Sequence, residues 1–339
     1  MKIVHCECGL GNQMCYYAQY LALQKKYPQE KVCLETFLFD VPGIEKHMKM
    51  WNGYELEKVF GIKVNDVKDE LEEEYSSVIN KILASKFWEI GWAASQNVIS
   101  EILYNNNLIG LDNVRNVTCR RSKLKEFYVE HRNTVWGYLL RNIAWNISGK
   151  NNMNSYTTCE AFSDEKQEFF FDLFEIIRPN SGIQSIRKEL LEAFSFPKLC
   201  GEKNISVASE IQNSDSVSIH VRKSDCYKYN ADCFKFGYFK RSVGYVKQNV
   251  ANAHFYIFSD DPEWVLHNLK TLGLDKKDEI TFVNWNSGKD SYIDMQLMSM
   301  CKHNISTNST FGFWASFLNK NPNKITCAPK GSFDVTNWF

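Results

Sequence analysis

Between residues 216 and 329 the chain alternates two patterns, and this alternation restricts its fold more than any other feature. Five short runs, SVSIHV (216–221), HFYIFS (254–259), ITFVNW (280–285), HNIST (303–307) and KITCAP (324–329), are rich in β-favouring residues. Segments of helical period separate them: YFKRSVGYVKQNV, DDPEWVLHNLKTL, SYIDMQLMSMC and NSTFGFWASFLN. Strands that alternate with helices are joined by crossovers, so they build a parallel sheet covered by helices. In DDPEW, Asp260 or Asp261 suits a helix N-cap and Pro262 the first helical position.

The N-terminus starts in the same way. KIVHC reads as a strand, GLGNQ as a turn and MCYYAQYLALQKKY as a helix, in which Met14, Tyr17, Ala18, Leu21 and Ala22 recur at helical spacing. Pro28 ends that helix, and KVCLETFLF (31–39) reads as a second strand. Residues 66–200 read as mostly helical. DELEEEYSSVINKILASKFWEI (69–90) has the pattern of one long amphipathic helix whose acidic start suits the helix dipole. EKQEFFFDLFEIIRP (165–179) and SGIQSIRKELLEAFSF (181–196) read as two more. CGEKNISVASEIQNSDS (200–216) is polar and marks a change of composition. A chain of 339 residues suggests two domains, drawn here at 1–199 and 200–339, the first enriched in extra helices.

Forty basic residues balance forty acidic ones, so no overall field favours nucleic acid, and any anion site must be a local arrangement. The first residues lack the apolar core of a signal peptide, and no run approaches the roughly 18 apolar residues of a membrane span. A cytoplasmic protein is expected, at most peripheral to a membrane. The eleven cysteines are scattered, and the C-x-C at Cys6 and Cys8 has no second pair to complete a zinc pattern. They read as reduced, mostly buried thiols.

Ligands of parallel α/β sheets sit at the carboxyl ends of strands. Four such ends carry polar residues: GLGNQ (9–13), HVRKSD (220–225), FSDD (258–261) and STNST (306–310). Each has a bland reading as a turn, a solvated strand end or a helix cap. Each also has a reading as part of an anion site. In GLGNQ, which includes Asn12 and Gln13, the glycines let backbone N–H groups meet an anion. Arg222 offers a bidentate fork, with His220 before it and Asp225 to orient it. Asn308, Ser309 and Thr310 open a helix whose N-terminus favours negative charge. The chain contains no D-x-D triplet, the usual means of holding a diphosphate through a divalent cation. The residues alone point to a metal-free nucleotide or phosphate site between two α/β units.

Taken together these segments resemble glycosyltransferase family 11, the α-1,2-fucosyltransferases. Cys8 to Met14 looks like the family's G-G-L-G-N-Q-M turn, and His220 to Asp225 resembles its H-x-R-R-x-D motif. Phe258 to Trp264 matches F-S-D-D-x-x-W, and Asp294 to Ile305 matches D-M-x-L-M-S-x-C-K-H-N-I. Asn308 to Leu318 is similar to N-S-S-F-x-W-W-x-A-x-L, and Ala328 to Lys330 to a closing A-P-K. FSDEKQEFF (162–170) is a weaker match to Y-F-Q-S-E-K-Y-F. The sequence departs from the pattern at Lys223, where the family has a second arginine, at Ser224 and Cys226, and at Cys8, where it has glycine. The absence of an anchor resembles the bacterial members.

The resemblance implies a GT-B type fold, two Rossmann-like domains facing a cleft, with GDP-β-L-fucose held mainly by the C-terminal half and the acceptor by the N-terminal half. It implies inverting transfer to the 2-hydroxyl of a galactose-terminated oligosaccharide, with no metal and no cofactor beyond the donor, GDP-L-fucose. Arg222 then stabilises the departing phosphate, helped by Asn12 and the Asn308–Ser309–Thr310 helix start. His220 and Asp260 or Asp261 contact guanosine. Asp225 acts as base or orients Arg222, and Glu35 is a second candidate base. Two other readings stay open: a fucosyltransferase of another linkage, and a nucleotide-sugar-binding module without catalysis. Missing Walker and glycine-rich signatures argue against a kinase. The sequence carries no signal for oligomeric state.

Overall fold

Strand β1 (Lys2–His5) is buried at every position, and its two polar ends, Lys2 and His5, find their partners inside the protein. In this computed structural model, which describes residues 1–47, 52–117, 127–128, 130–147, 162, 164–178, 181–223, 233–330, 332–333 and 335–339, β1 is the centre of a three-stranded parallel sheet. On one side it pairs with β2 (Val32–Glu35), in a register that sets His5 opposite Glu35. On the other it pairs with β3 (Phe169–Phe170). The helix Leu10–Lys26 follows β1 directly and buries Met14, Ala18, Ala22 and Leu23.

Three expectations for the N-terminal half need correction. The KVCLETFLF strand stops at Glu35, because Glu35 Oε1 accepts the Phe37 amide at 2.7 Å and closes a 3-10 turn over Phe37–Asp40. The single helix expected over 69–90 is four pieces: 3-10 turns at Val67–Glu70 and Glu72–Glu74, the helix Tyr75–Ser85, and a turn of helix at Phe87–Ile90. Glu72 and Lys86 take positive φ at the breaks. The breaks let Val67, Leu71, Val78, Ile82 and Phe87 all reach one core, which a straight rod would not allow. The segment expected as a helix at 165–179 instead supplies β3. Extended pairing buries Phe169 and Phe170 completely, and the buried Lys2 ammonium holds the preceding residues through the carbonyls of Glu165 and Gln167 at 2.5 and 2.8 Å. Sheet pairing here overrides a helical pattern.

Beyond residue 200 the five expected strands and their helices are present. The polar stretch at 200–216 also contains a helix, Glu202–Asn213, which buries Asn204, Val207, Ala208 and Ile211 at helical spacing. The helix expected across 260–272 divides at Asn268 into Pro262–His267 and Leu269–Leu272. Strands β4 (Asp215–Val221), β5 (Ala253–Ser259), β6 (Glu279–Val283), β7 (His303–Ser306), β8 (Thr326–Ala328) and β9 (Asn337–Trp338) form one parallel sheet in the order β6-β5-β4-β7-β8-β9. Chain order runs outward from β4 in one direction, then resumes at β7 on its other side. That is the Rossmann arrangement, with its switch point between β4 and β7.

Contacts divide the described chain into two units. One comprises Met1–Tyr128, Ser155–Ile177 and Ser181–Ala193 and carries the three-stranded sheet. The other comprises Val129–Asn154, Arg178–Asn180 and Phe194–Phe339 and carries the six-stranded sheet.

Candidate active site

The carboxyl ends of β4, β5 and β7 lie together at the switch point of the larger sheet, and they bring most of the residues singled out in the sequence to one edge. His220 pairs across to Ser306, and the Thr307 amide donates to the His220 carbonyl at 3.2 Å. The Arg222 amide donates to Thr307 Oγ1 at 3.3 Å. Ser259 Oγ donates to the Val221 carbonyl and accepts the Asp261 amide, both at 3.0 Å, so the β5 end is laced to the β4 end.

Two acids then position two cations. Asp260, almost fully buried, accepts the Lys223 amide at 2.8 Å and faces Arg222 Nε at 3.4 Å. Asp261 caps the helix Pro262–His267 through the Trp264 amide at 3.1 Å, and its other oxygen meets Lys223 Nζ at 2.9 Å. The same ammonium lies 5.1 Å from the centre of the Trp264 ring. Its hydrogen bonds hold the Asp261 carboxyl below the usual carboxylate range, Lys223 first and then the Trp264 amide. Asp260 and Asp261 thus serve as internal partners for Arg222 and Lys223. Lys223 also borders a pocket of about 350 Å³ with Phe234, Lys235, Trp264 and Thr271.

His220 is buried under Phe311, their ring centres 5.7 Å apart. Burial, reinforced by the Arg222 charge and opposed by Asp260, pushes its pKa down to about 4, so it is neutral at physiological pH. The helix Thr310–Leu318, with Ser309 at its N-cap, begins just after β7, which sets its positive dipole end at this same edge. Its close approach has a visible cause. A Cβ at Gly312 would lie 1.9 Å from Ser306 Oγ and 2.7 Å from His220 Nδ1, so only glycine fits. Asn308, Ser309 and Thr310 therefore share an edge with Arg222. Asp225 lies outside the described residues.

The residues of the smaller unit form a different site. The glycine turn starts its helix as expected, with Gly9 at the N-cap and the Asn12 amide bonded to the Gly9 carbonyl at 2.9 Å. Yet a carboxylate already occupies it, because the Leu10 amide donates to Glu55 Oε2 at 2.9 Å. Gln13 is wholly buried. Its Nε2 donates to the carbonyls of Cys8 and Gly53 at 2.8 and 3.0 Å, and its Oε1 accepts the Glu55 amide at 2.8 Å. Gln13 fastens the turn to the Gly53–Glu55 loop.

Beside it lies a cluster of which the sequence reading named only Glu35. His5, buried, bonds Glu35 Oε2 through Nδ1, and its Nε2 lies 3.2 Å from Glu7 Oε2. Trp92 Nε1 donates to that Glu7 oxygen at 2.7 Å. Burial pushes the His5 pKa down, but the charges and hydrogen bonds of Glu35 and Glu7 outweigh it and raise it to about 10. His5 is an imidazolium held between two carboxylates. The signal available in the sequence was His5 and Glu7 at alternate positions leaving a buried strand, with Glu35 ending its neighbour.

Among the described residues no group of three His, Cys, Asp or Glu side chains is arranged to hold a metal ion. In the larger unit, burial raises Asp294 to about pH 7 against a hydrogen bond from Asn286 at 2.7 Å, and Asn286 is cross-bonded to Asn204. Asp294 opens one of the segments that resemble the family, and here it supports the turn after β6.

A family model described as "Glycosyl transferase family 11" matches residues 124–335, a span that contains the whole switch-point edge. The chain is 24% identical over 97% of its length to an O-antigen biosynthesis glycosyltransferase of Escherichia coli, covering 94% of that protein. It is 33% identical, over 38% of its length, to an α-1,2-colitosyltransferase of Escherichia coli, covering 43% of that protein. The structure overlays on that of a UDP-N-acetylglucosamine 2-epimerase from Listeria monocytogenes at a TM-score of 0.40 and 10% identity, over 98% of this chain and 81% of the other.

Proposed function

The chain belongs to glycosyltransferase family 11, and from that premise we propose a GT-B type, inverting, metal-independent galactoside α-1,2-fucosyltransferase. It takes L-fucose from GDP-β-L-fucose and adds it to the 2-hydroxyl of a terminal β-galactoside. The observation that carries this reading is the polarity of the two strand-end edges. The larger unit offers Arg222, Lys223 and a helix N-terminus at a Rossmann switch point, where a nucleotide diphosphate binds. The smaller unit sets Glu7 and Glu35 around the His5 cation at its strand ends and Glu55 on the glycine turn, a net negative surrounding that suits a neutral sugar hydroxyl better than a diphosphate.

In the proposed reaction the bond between fucose C1 and the β-phosphate oxygen breaks as the galactose O2 bonds to C1 from the opposite face. The bonding electrons leave with GDP, and the O2 proton passes to a base. Arg222, steadied at Nε by Asp260, neutralises the charge that grows on the phosphate, with the Asn308–Ser309–Thr310 helix start beside it. Neutral His220 adds no charge to the edge and serves the guanosine end with Asp260 or Asp261. Asp225 is the proposed base.

The test is release of GDP from GDP-fucose with lactose, N-acetyllactosamine and a Galβ1-3 acceptor, in excess EDTA, with the product linkage read by NMR. Turnover and an α-1,2 linkage are expected. Complete loss in EDTA that Mn²⁺ restores overturns metal independence. Calorimetric binding of GDP-fucose without turnover on any acceptor makes the chain a binding module. The similarity to a colitosyltransferase favours one second reading, so GDP-colitose belongs in the donor panel. Its exclusive use would keep the α-1,2 chemistry and change the sugar.

A further inference from the structure

Three acids stand at the strand ends and glycine turn of the smaller unit, and only one of them has an oxygen to spare. Glu35 is wholly buried, with Oε2 on His5 and Oε1 on the Phe37 amide. Glu55 is buried too, with Oε2 on the Leu10 amide and Oε1 accepting from Asn52 Nδ2 at 3.3 Å. Glu7 differs. The Trp92 indole donates to its Oε2 at 2.7 Å, and the His5 imidazolium lies 3.2 Å from the same oxygen. Among the described residues nothing donates to its Oε1. Its side chain keeps 11% of its surface exposed, where that of Glu35 keeps none.

Glu7 is thus held through one oxygen and open through the other. The hold is firm. His5 is fixed in turn by Glu35, and the Trp92 ring meets Phe87 edge-on, their centres 5.1 Å apart. A carboxylate only accepts hydrogen bonds, so the open oxygen calls for a donor. Two carboxylates around one imidazolium leave the cluster net negative, which disfavours a phosphate. A hydroxyl is a neutral donor and fits. Trp92 is only partly buried, so indole surface lies beside this carboxylate. An aromatic ring next to one directed acceptor matches a pyranose, which has an apolar C–H face and hydroxyls at its edge.

We propose that Glu7 binds a hydroxyl of the acceptor sugar, with His5 and Trp92 as its positioning residues. The assignment rests on the transferase reading above, in which the smaller unit takes the acceptor. Its test pairs saturation-transfer NMR of lactose and N-acetyllactosamine with steady-state kinetics on the same acceptors and calorimetry of GDP-fucose. Glu7→Gln replaces an acceptor oxygen by a donor. It should raise the dissociation constant and KM for the acceptor at least about tenfold and leave GDP-fucose binding unchanged. Trp92→Phe keeps a ring but drops the N–H that holds Glu7. It should raise the acceptor KM by about threefold with kcat largely kept, a split that general loosening of the fold does not produce. Glu7→Asp keeps the charge beside His5 and withdraws the open oxygen by one methylene. Should Glu7→Gln lose its fold, Glu7→Asp must still raise the acceptor KM. The proposal is overturned if the folded Glu7 variants bind acceptor as the wild type does, if they weaken donor and acceptor alike, or if the wild type neither binds nor turns over any of these glycosides. The transferase reading fails separately: a wild type that binds the glycosides through Glu7 without turnover loses the reaction and keeps the site.

Discussion

Both sheets place a buried histidine at the carboxyl end of their first strand, and the two histidines carry opposite charge states. His5 closes β1 between Glu7 and Glu35 and is charged. His220 precedes Arg222 at the end of β4 and is neutral. Burial acts in the same direction on both, against the cation. The neighbours decide the outcome: two carboxylates overcome the desolvation penalty, whereas a guanidinium adds to it. Strand, position and residue type are shared, and the charge of the edge is not. A strand-end histidine therefore cannot be assigned a role until the acids and bases of the adjoining strands are placed.

Removing each histidine tests this comparison most severely. His5→Gln leaves Glu7 and Glu35 close together without their cation and should cost about 3–5 kcal/mol in denaturant unfolding. His220→Asn removes a weakly bonded neutral ring and should cost about 1–2 kcal/mol. Equal costs would break the contrast. The pH dependences should also run in opposite directions. The His5 pKa is raised, so its contribution is full below 6.5 and is lost as pH rises toward about 10. The His220 pKa is lowered, so its contribution is full above 6.5 and is lost as pH falls toward about 4. Stability of His5→Gln should accordingly be flatter than wild type between about pH 7 and 10.

Arg222→Ala probes the cationic edge through chemistry. With the protein shown folded by circular dichroism, kcat should fall by a factor of roughly 10² or more, because the lost contact strengthens as the phosphate departs. Arg222→Lys should recover little of it, since a point charge does not replace a fork. Activity near wild type would remove Arg222 from the mechanism and dissolve the electrostatic division between the units.

The glycine turn of the smaller unit gives a milder test. Cys8 sits at φ +69°, where L side chains are strained. Cys8→Gly should stabilise the protein by about 1 kcal/mol in the same unfolding assay. Destabilisation would show that the thiol makes a contact worth more than the strain.

Lys223 should show the smallest effect. Its ammonium is engaged by Asp261 and Trp264, beside the edge that Arg222 serves. Lys223→Arg should stay within about threefold of wild-type kcat, and Lys223→Ala should cost less than Arg222→Ala. A larger loss for Lys223→Ala would make the lysine the phosphate ligand.

The larger unit was the more legible half. Its strands stand between turn residues, and at Asp261–Pro262 the cap and the proline mark the start of a helix, so local signals and tertiary structure agree. The smaller unit was legible at β1, the helix after it, the first part of the KVCLETFLF strand and the helix Arg187–Ala193. Phe169 and Phe170 had a helical setting, and only β1, far away in sequence, makes them a strand. The candidate site divides similarly. Arg222, Asp260 and Asp261 stand in short motifs, each readable on its own. The His5–Glu7–Glu35 cluster joins two strands and a tryptophan from residue 92, and no local window contains it.

That β3 pairing also dictates a timetable. Phe169 is made 166 residues after its partner Ile3. At about 5–20 residues per second that is a delay of roughly ten to thirty seconds. Throughout it, one side of an apolar strand has its hydrogen-bonding groups unpaired, a template for any other extended chain nearby. Co-expression of a holding chaperone should therefore raise the fraction of the protein recovered in the soluble lysate. Overexpression should lose material to aggregates first through this strand.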